Sequence, residues 1–464
     1  MSQQNPQPVA GISTSGTSCD KKAFIKTFGC QMNERDSEII GQLVCEASYS
    51  PAPTMEDADL VVLNTCSIRE KAEQKVMSLL GRLRLIKKTR PSMIIAVAGC
   101  VAQQEQKALL SRMGHIDIVL GTRSIHLLPE MIQKVAAGQG PQLSVSLDEN
   151  KIPSFLPAHT LLLERSLSEF KRFITIMQGC DNYCAYCVVP HTRGRETSRP
   201  LTEILSEVTM LAAQGVTDIT LLGQNVNSYG KNLNQQIDFP NLLKRIASIK
   251  GIERLRFTTS HPKDLSPALM ECFATIDTLC PHFHLPVQSG SNRILQKMNR
   301  KYTVENYLEK VRGLRAVCPD IVFTTDIILG FPGEGDEDFA ATMELLETVR
   351  FHDAFSFKYS DRPNVRSVSF SDKVPEEVKS ARLSRLQQRQ KIVSLEQNRF
   401  FEGKMMEIMV EGPSKNEDRE YCGRTTTNHV VNFTPSGNEP TLVGDMLTVR
   451  ITEARVHSLR GEPV

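Results

Sequence analysis

The stretch "GCDNYCAYCVVPHTRGRE", residues 179–196, sets Cys180, Cys184 and Cys187 at C-x3-C-x2-C spacing and then offers no fourth cysteine. A closed tetrahedral site needs four ligands, so two metal readings stand. One is structural zinc completed by His191, whose C-x2-C-x3-H spacing suits a Cys3His site. The other is an iron–sulfur cubane on three thiolates, with one iron left open for a substrate or cofactor. The residues just before, "RFITIMQG", form an apolar run that reads as a strand, so the cysteines occupy the loop at its carboxyl end.

Five more strand-like runs follow, at 218–223, 254–259, 282–287, 322–329 and 354–360, separated by helical patterns such as "LTEILSEVTMLAAQG" and "VENYLEKVRGLRAV". With 173–178 they make six βα units, too few for a closed eight-stranded barrel, so an open, partial (β/α)6 barrel is expected. A structural zinc knuckle is an unusual ornament on the first strand of such a barrel, which favours the open-iron reading.

Upstream, residues 22–138 repeat the βα pattern with nearly continuous apolar strands, "AFIKTFG", "ADLVVLNT", "MIIAVAG" and "IDIVLG". That is the pattern of a doubly wound parallel sheet covered on both faces. Downstream, a polar helix over 376–399 gives way to short runs, "MMEIMVEG", "HVVNFTP" and "DMLTVRITEARV", punctuated by Gly, Pro and Asn, which suit a small all-β barrel. The expected domains are therefore a disordered tail (1–21), an α/β domain (22–138), a linker (139–168), the partial barrel (169–398) and the small barrel (399–464).

The chain has 464 residues, 40% hydrophobic and 23% charged, with a net charge of +2. No run approaches the roughly 18–20 apolar residues needed to span a bilayer. The polar start has no apolar signal core, and the expected compartment is the cytoplasm. Twelve cysteines in such a chain point to metal or redox roles wherever they cluster. Cys45, Cys272, Cys280 and Cys318 sit in helical or apolar settings and read as small buried hydrophobes.

Three others share one kind of position. Cys30 ends "KTFGC", Cys66 ends "LVVLNTC" and Cys100 ends "IIAVAGC". Each stands at the carboxyl end of an expected parallel strand, just before a helix. Those ends open onto one crevice in a doubly wound sheet, and a helix start favours a thiolate. The expectation is a second three-thiolate site.

The cysteine run and the segments "TFGCQMNERDSE", "LNTCSIREKA", "GCVAQQE", "LLGQNVNSYG", "FTTSHP" and "HLPVQSGSNRILQKMNRKY" resemble the radical S-adenosylmethionine (SAM) methylthiotransferases over residues 22 to 460. Within that family they are most similar to the enzymes that act on N6-dimethylallyladenosine at position 37 of tRNA, beside the anticodon. The terminal segment is similar to a TRAM domain. The resemblance implies two [4Fe-4S] clusters and SAM as cofactors. Cys180, Cys184 and Cys187 would hold the cluster that cleaves SAM to a 5′-deoxyadenosyl radical, and Cys30, Cys66 and Cys100 the cluster that supplies sulfur. It further implies SAM contacts from Tyr186, from Gly223, Gln224 and Asn225, from Gln288 and Ser289, and from Gly330 and Glu334. The partners it implies are the tRNA anticodon stem-loop and an electron donor such as flavodoxin or ferredoxin, with no membrane association and a monomeric enzyme. Two departures stand out: Gly335 replaces the Thr of G-F-P-G-E-T, and Asn364-Val365 replaces a Gly-Thr pair.

Segment 400–464 carries seven Lys/Arg and ten Asp/Glu, a poor footprint for phosphates. The basic residues beside the cysteine loop are better placed, and Arg193 and Arg195 are the expected phosphate contacts. Adenine C2 is reachable only in a loop or flipped base. Other readings kept open are a methylthiotransferase for threonylcarbamoyl-adenosine tRNA, one for a ribosomal-protein aspartate, and, from a different class, a non-catalytic zinc-stabilised RNA-binding protein.

Overall fold

The apolar runs of the first 147 residues become a six-stranded, all-parallel sheet. Its elements are β1 (Lys21–Thr27), α1 (Gln31–Glu46), β2 (Tyr49–Pro51), β3 (Leu60–Thr65), α2 (Glu70–Thr89), β4 (Ile94–Gly99), α3 (Cys100–Arg112), β5 (Ile118–Leu120), α4 (Leu128–Ala136) and β6 (Gln142–Ser144). The strand order is β2-β1-β3-β4-β5-β6. Side chains alternate across the pleat. Leu60 and Val62 pack on one face with Ile40, Leu43, Leu128 and Met131. Val61 and Leu63 pack on the other with Val76, Leu80, Leu83 and Leu109. The sheet is thus doubly wound. Strands β2 and β6 escape a periodicity argument because each has only three residues, and β6 extends the sheet into the stretch expected to be linker.

The structure is a computed structural model that describes residues 21–67, 70–147, 170–234, 237–414, 420–435 and 442–464. The expected tail, apart from Lys21, which opens β1, and all but the start of the expected linker lie outside the described residues. Contacts divide the chain into two units. The first takes in the described residues before 148 together with Phe173–Asp181 and Val188–Glu207. The second takes in Asn182–Cys187, Val208–Val464 and the few residues before Phe173. The chain crosses between them within β7 (Lys171–Thr175).

After β7 come β8 (Met177–Gln178), α5 (Val189–Thr192), β9 (Thr197–Ser198), α6 (Leu201–Ala213), β10 (Asp218–Leu222), α7 (Phe239–Ala247), β11 (Arg254–Phe257), α8 (Pro267–Thr275), β12 (His282–His284), α9 (Asn292–Lys297), α10 (Val304–Val317), β13 (Val322–Leu329), α11 (Asp336–Val349), β14 (Asp353–Lys358) and α12 (Glu376–Arg399). In the second unit β10 pairs in parallel with β11, a bridge at Leu255–Leu279 leads on toward β12, and β13 and β14 follow, again parallel. This is the open, partial barrel. Its helices start on side-chain caps: Asp238, Ser266, Ser291 and Thr303 each accept from a backbone N–H of the first turn. Asn364, one of the two departures, sits at φ +65. Asparagine tolerates this left-handed conformation better than other residues with a Cβ, so the turn survives the loss of the glycine.

Strands β15 (Met405–Pro413), β16 (Tyr421–Thr425), β17 (Val430–Phe433), β18 (Met446–Ala454) and β19 (Leu459–Pro463) close a five-stranded barrel in the order β15-β16-β17-β19-β18. Its core is Ile408, Val410, Val431, Phe433, Val449, Ile451 and Leu459. Two arginines of β11 anchor it. Arg254 donates to the Arg424 carbonyl, and Arg256 to those of Thr425 and Thr426, at 2.5, 2.9 and 3.0 Å.

Beside that seam the His352 and His429 rings meet edge to face at 5.8 Å. Burial drives both imidazoles below their ordinary 6.5, His352 to about 3 and His429 to about 4. The unfolded chain therefore binds more protons than the native one between pH 6.5 and 3. The stability these neutral rings contribute is intact above pH 6.5 and falls as the pH drops through that window. By pH 5 the loss should be on the order of 1–2 kcal/mol per imidazole. Thermal melts at pH 7.5 and pH 5 should differ by several degrees, and the double variant His352→Gln, His429→Gln should show a smaller difference.

Candidate metal centres

Cys30 caps the amino-terminal end of α1, Cys66 follows β3, and Cys100 opens α3. All three lie in the first unit. A hydrogen bond with Cys66, helped by the charge of Arg193, brings the Cys30 thiol down to about 6 against its burial. Burial raises the Cys100 thiol, and Arg193 partly offsets this. Cys30 is therefore tied to Cys66 by a hydrogen bond and shares the charge of Arg193 with Cys100. Glycine makes the approach possible. Gly29 has φ +117, and a Cβ there would lie 2.3 Å from the Cys66 Cβ. A side chain before Cys30 would push the two cysteines apart.

Asn33 ties the set together. Its amide donates to the carbonyls of Phe28 (2.8 Å) and Thr65 (2.9 Å), the residue before Cys66. Its carbonyl oxygen accepts from Arg193 at 3.1 Å. The Asn64 side-chain amide, in turn, donates to the Asn33 main-chain carbonyl at 2.8 Å. Sequence reasoning quoted "GCQMN" and "LNTC" without assigning these amides. The available signal was a polar side chain in the first turn of a helix that opens on a crevice.

Arg193 corrects an expectation. It is 3% exposed, and its Nη2 donates to Asp36 at 2.8 Å as well as to Asn33. Burial opposes its charge, but Asp36, Cys100 and Cys30 hold it, and its pKa rises. A guanidinium enclosed this way does not reach a phosphate arriving from solvent. Its Nη1 is buried with no hydrogen-bond partner among the described residues. Arg195, two residues on, is different: its side chain is 54% exposed and pairs with Asp181 at 3.3 Å. The loop carrying both is pinned by Arg123, which donates to the carbonyls of Arg193 (2.9 Å) and Arg195 (2.5 Å).

In the cysteine run, Cys180 falls in the first unit, its amide donating to the Gly194 carbonyl at 3.2 Å, and Cys184 and Cys187 fall in the second. His191, the zinc reading's fourth ligand, is exposed on α5. In the second unit Cys184 accepts from the buried Arg300 at 3.4 Å. The same guanidinium donates to the Tyr186 hydroxyl (3.5 Å), Tyr302 (3.0 Å) and the Pro286 carbonyl (2.8 Å). Sequence reasoning missed Arg300, although it stands in the quoted "MNRKY". Tyr186 packs edge-on to Phe331 at 6.4 Å, and burial keeps its phenol neutral.

The expected SAM contacts cluster at the carboxyl ends of the barrel strands. Gly223 and Asn225 are buried and Gln224 half-buried just after β10, and Asn225 donates to Asp264 at 2.8 Å. His261 nearby meets Tyr302, linking this end to Arg300. Gln288 and Ser289 are buried beyond β12, with Gln288 at φ +71 and bridged to Ile327. Gly330 follows β13 and donates its N–H to Glu334 Oε1 at 2.9 Å. That oxygen also accepts from Arg382 of α12 at 2.8 Å, so half of the Glu334 carboxylate is committed to structure. The other oxygen, Oε2, is buried without a partner among the described residues.

Among the described residues no three His, Cys, Asp or Glu side chains are gathered closely enough to hold a single metal ion. What the structure does bring together is a buried guanidinium beside the Cys30 and Cys100 thiols, and another that donates to Cys184. Hydrogen bonds and net charge of this kind are what set the properties of a thiolate-held cluster.

Comparison with known proteins completes the picture. Residues 22–121 match the model described as Uncharacterized protein family UPF0004, residues 174–346 that of the Radical SAM superfamily, and residues 399–464 that of the TRAM domain. The chain is 52% identical over 447 residues to the tRNA-2-methylthio-N(6)-dimethylallyladenosine synthase of Desulfotalea psychrophila, covering 95% of this chain and 98% of that one. It is 48% identical to the protein of the same description from Syntrophobacter fumaroxidans, covering 95% of each. Among solved structures, the radical S-adenosylmethionine methyltransferase TsrM from Kitasatospora setae superposes with a TM-score of 0.52 over 73% of each chain at 15% identity. That degree of identity speaks for the fold alone.

Proposed function

The chain belongs to the family of the tRNA-2-methylthio-N(6)-dimethylallyladenosine synthases, and on that premise we propose that it methylthiolates adenine C2 of N6-dimethylallyladenosine in tRNA. It is a radical SAM methylthiotransferase that uses two [4Fe-4S] clusters and S-adenosylmethionine. Among the residues present, the observation that carries the reading is the second thiolate set. Cys30, tied to Cys66 and sharing the Arg193 charge with Cys100, belongs to a set beyond what SAM cleavage alone requires.

Cys180, Cys184 and Cys187 would hold the cluster that takes SAM, and Cys30, Cys66 and Cys100 would hold the other. When bound, these groups supply the radical that removes hydrogen from C2 and the methylthio group that replaces it. The chain's own part is to orient and enclose. Tyr186 and the strand ends Gly223–Asn225, Gln288–Ser289 and Gly330 line the SAM side, and the unpartnered Glu334 Oε2 is an acceptor for its ammonium. Position 37 of the anticodon loop, a flavodoxin- or ferredoxin-like electron donor, a cytoplasmic setting and a monomeric state complete the proposal. Among the described residues no helix is long and apolar enough to cross a membrane.

Mass spectrometry of tRNA nucleosides tests the function. Cells lacking the gene should accumulate N6-dimethylallyladenosine without its 2-methylthio derivative, and the plasmid-borne gene should restore the product. A colourless protein with stoichiometric zinc would return the Cys3His reading.

Arg195 remains the phosphate contact beside the cysteine loop. Arg195→Ala should weaken tRNA binding and reduce the log–log salt slope by roughly one unit, the share of a single phosphate. SAM cleavage without RNA should change little. An unaltered slope moves the RNA footprint away from this loop.

A further inference from the structure

Arg193 lies in the run that carries the first cluster's cysteines, yet its side chain belongs to the second thiolate set. One arm is used: Nη2 holds Asp36 and Asn33. Its carrier loop is held by Arg123 and by Thr122, whose hydroxyl donates to the Thr192 carbonyl at 2.6 Å. The guanidinium is thus fixed before any ligand arrives. The other arm, Nη1, is buried with no partner among the described residues. An orphaned charged N–H is costly to bury unless something accepts from it. The guanidinium sits beside the thiols: Asn33 Oδ1, which accepts from Nη2 at 3.1 Å, lies 3.9 Å from Cys30 Sγ, and besides Asp36 its charge acts on Cys100 and Cys30.

We propose that Arg193 Nη1 donates a hydrogen bond to a sulfur of the second cluster, and that the buried charge raises that cluster's reduction potential. The proposal rests on the reading of Cys30, Cys66 and Cys100 as cluster ligands. The physical reason is direct. Reduction adds a negative charge to an enclosed, low-dielectric site, and a fixed cation beside it stabilises the reduced form more than the oxidised one. Asp36 tempers the effect without cancelling it, because at both Cys30 and Cys100 the charge of Arg193 outweighs that of Asp36. The same chain shows the arrangement once more: the buried Arg300 Nη1 donates to Cys184, a ligand of the other cluster. The sequence run that ligates one cluster thereby sets the charge around the other.

Two measurements on the reconstituted full-length protein decide the matter. The first needs no substitution at Arg193. Protein carrying Cys184→Ala and Cys187→Ala holds only the second cluster and removes Arg300's partner. Grown with guanidino-15N arginine and reduced, it should show a weakly coupled 15N by pulsed electron paramagnetic resonance. Iron at about four per chain with no coupled nitrogen overturns the proposal. Iron near zero instead overturns the second-cluster reading, so the two failures are distinguishable.

The second is a potentiometric titration of both clusters. Arg193→Gln should lower the equilibrium constant for reducing the second cluster at least tenfold, which is 59 mV for a one-electron couple. The first cluster should be unmoved. Arg193→Lys, which keeps the charge, should recover most of the shift. Unchanged potentials in an Arg193→Gln protein with full iron content make Arg193 a structural ion pair only and overturn the proposal. If that variant fails to fold, the labelling measurement stands alone.

Discussion

Cys66→Ala is expected to abolish methylthiolation while leaving reductive cleavage of SAM to 5′-deoxyadenosine in place. The substitution removes one ligand of the second set and touches none of Cys180, Cys184 and Cys187. It lies in β3's carboxyl end, far in sequence from the partial barrel, so SAM should still be bound and cleaved when a reductant is given. Product should fall below detection, because the methylthio group has no source. A purely structural cysteine predicts otherwise. Exchanging a buried thiol for a methyl costs about 1–2 kcal/mol and lowers yield while sparing both activities. Chromatography of 5′-deoxyadenosine and of modified nucleoside from one reaction separates the two outcomes. Near-normal methylthiolated product from a folded Cys66→Ala protein would falsify the second-cluster assignment.

Cys184→Ala should have the opposite signature. Iron should fall from about eight to about four per chain under the two-cubane reading. SAM cleavage and methylthiolation should vanish together, since the open iron that takes SAM is gone. The substitution also deprives Arg300 of an acceptor, leaving a buried guanidinium with its contacts to Tyr186, Tyr302 and Pro286 only. A modest loss of thermal stability should accompany the loss of iron. Unchanged iron content, or zinc in its place, would defeat the assignment of this run.

The contrast between the two variants is informative because the two sites are built differently. The second set draws its cysteines from three strand ends of one sheet, and two of them, Cys30 and Cys100, stand at helix starts. The other draws all three from eight consecutive residues of one loop, Cys180 to Cys187. Losing one cysteine from the loop leaves two tethered neighbours. Losing one from the sheet leaves two residues 70 or so apart in sequence, or about half that, held in place by packing and by Asn33.

The sequence by itself determined the alternation of strands and helices and the change to a small β barrel, because these are local properties. Spacing, apolar runs and turn residues are legible without knowing what packs on them. The strands expected at 218–223, 254–259, 282–287 and 322–329 appear at Asp218–Leu222, Arg254–Phe257, His282–His284 and Val322–Leu329. Three-residue edge strands such as β2 and β6 were not legible, since so few residues carry no period and their pairing comes from the neighbouring strand. Only the tertiary structure decided the fates of Arg193 and Arg195. They have the same chemistry and sit two residues apart, yet one is enclosed and the other exposed. What separates them is Asp36, 157 residues away, which offers Arg193 a buried carboxylate. Burial of a charge depends on the partner waiting for it, and a partner that distant is supplied by the fold.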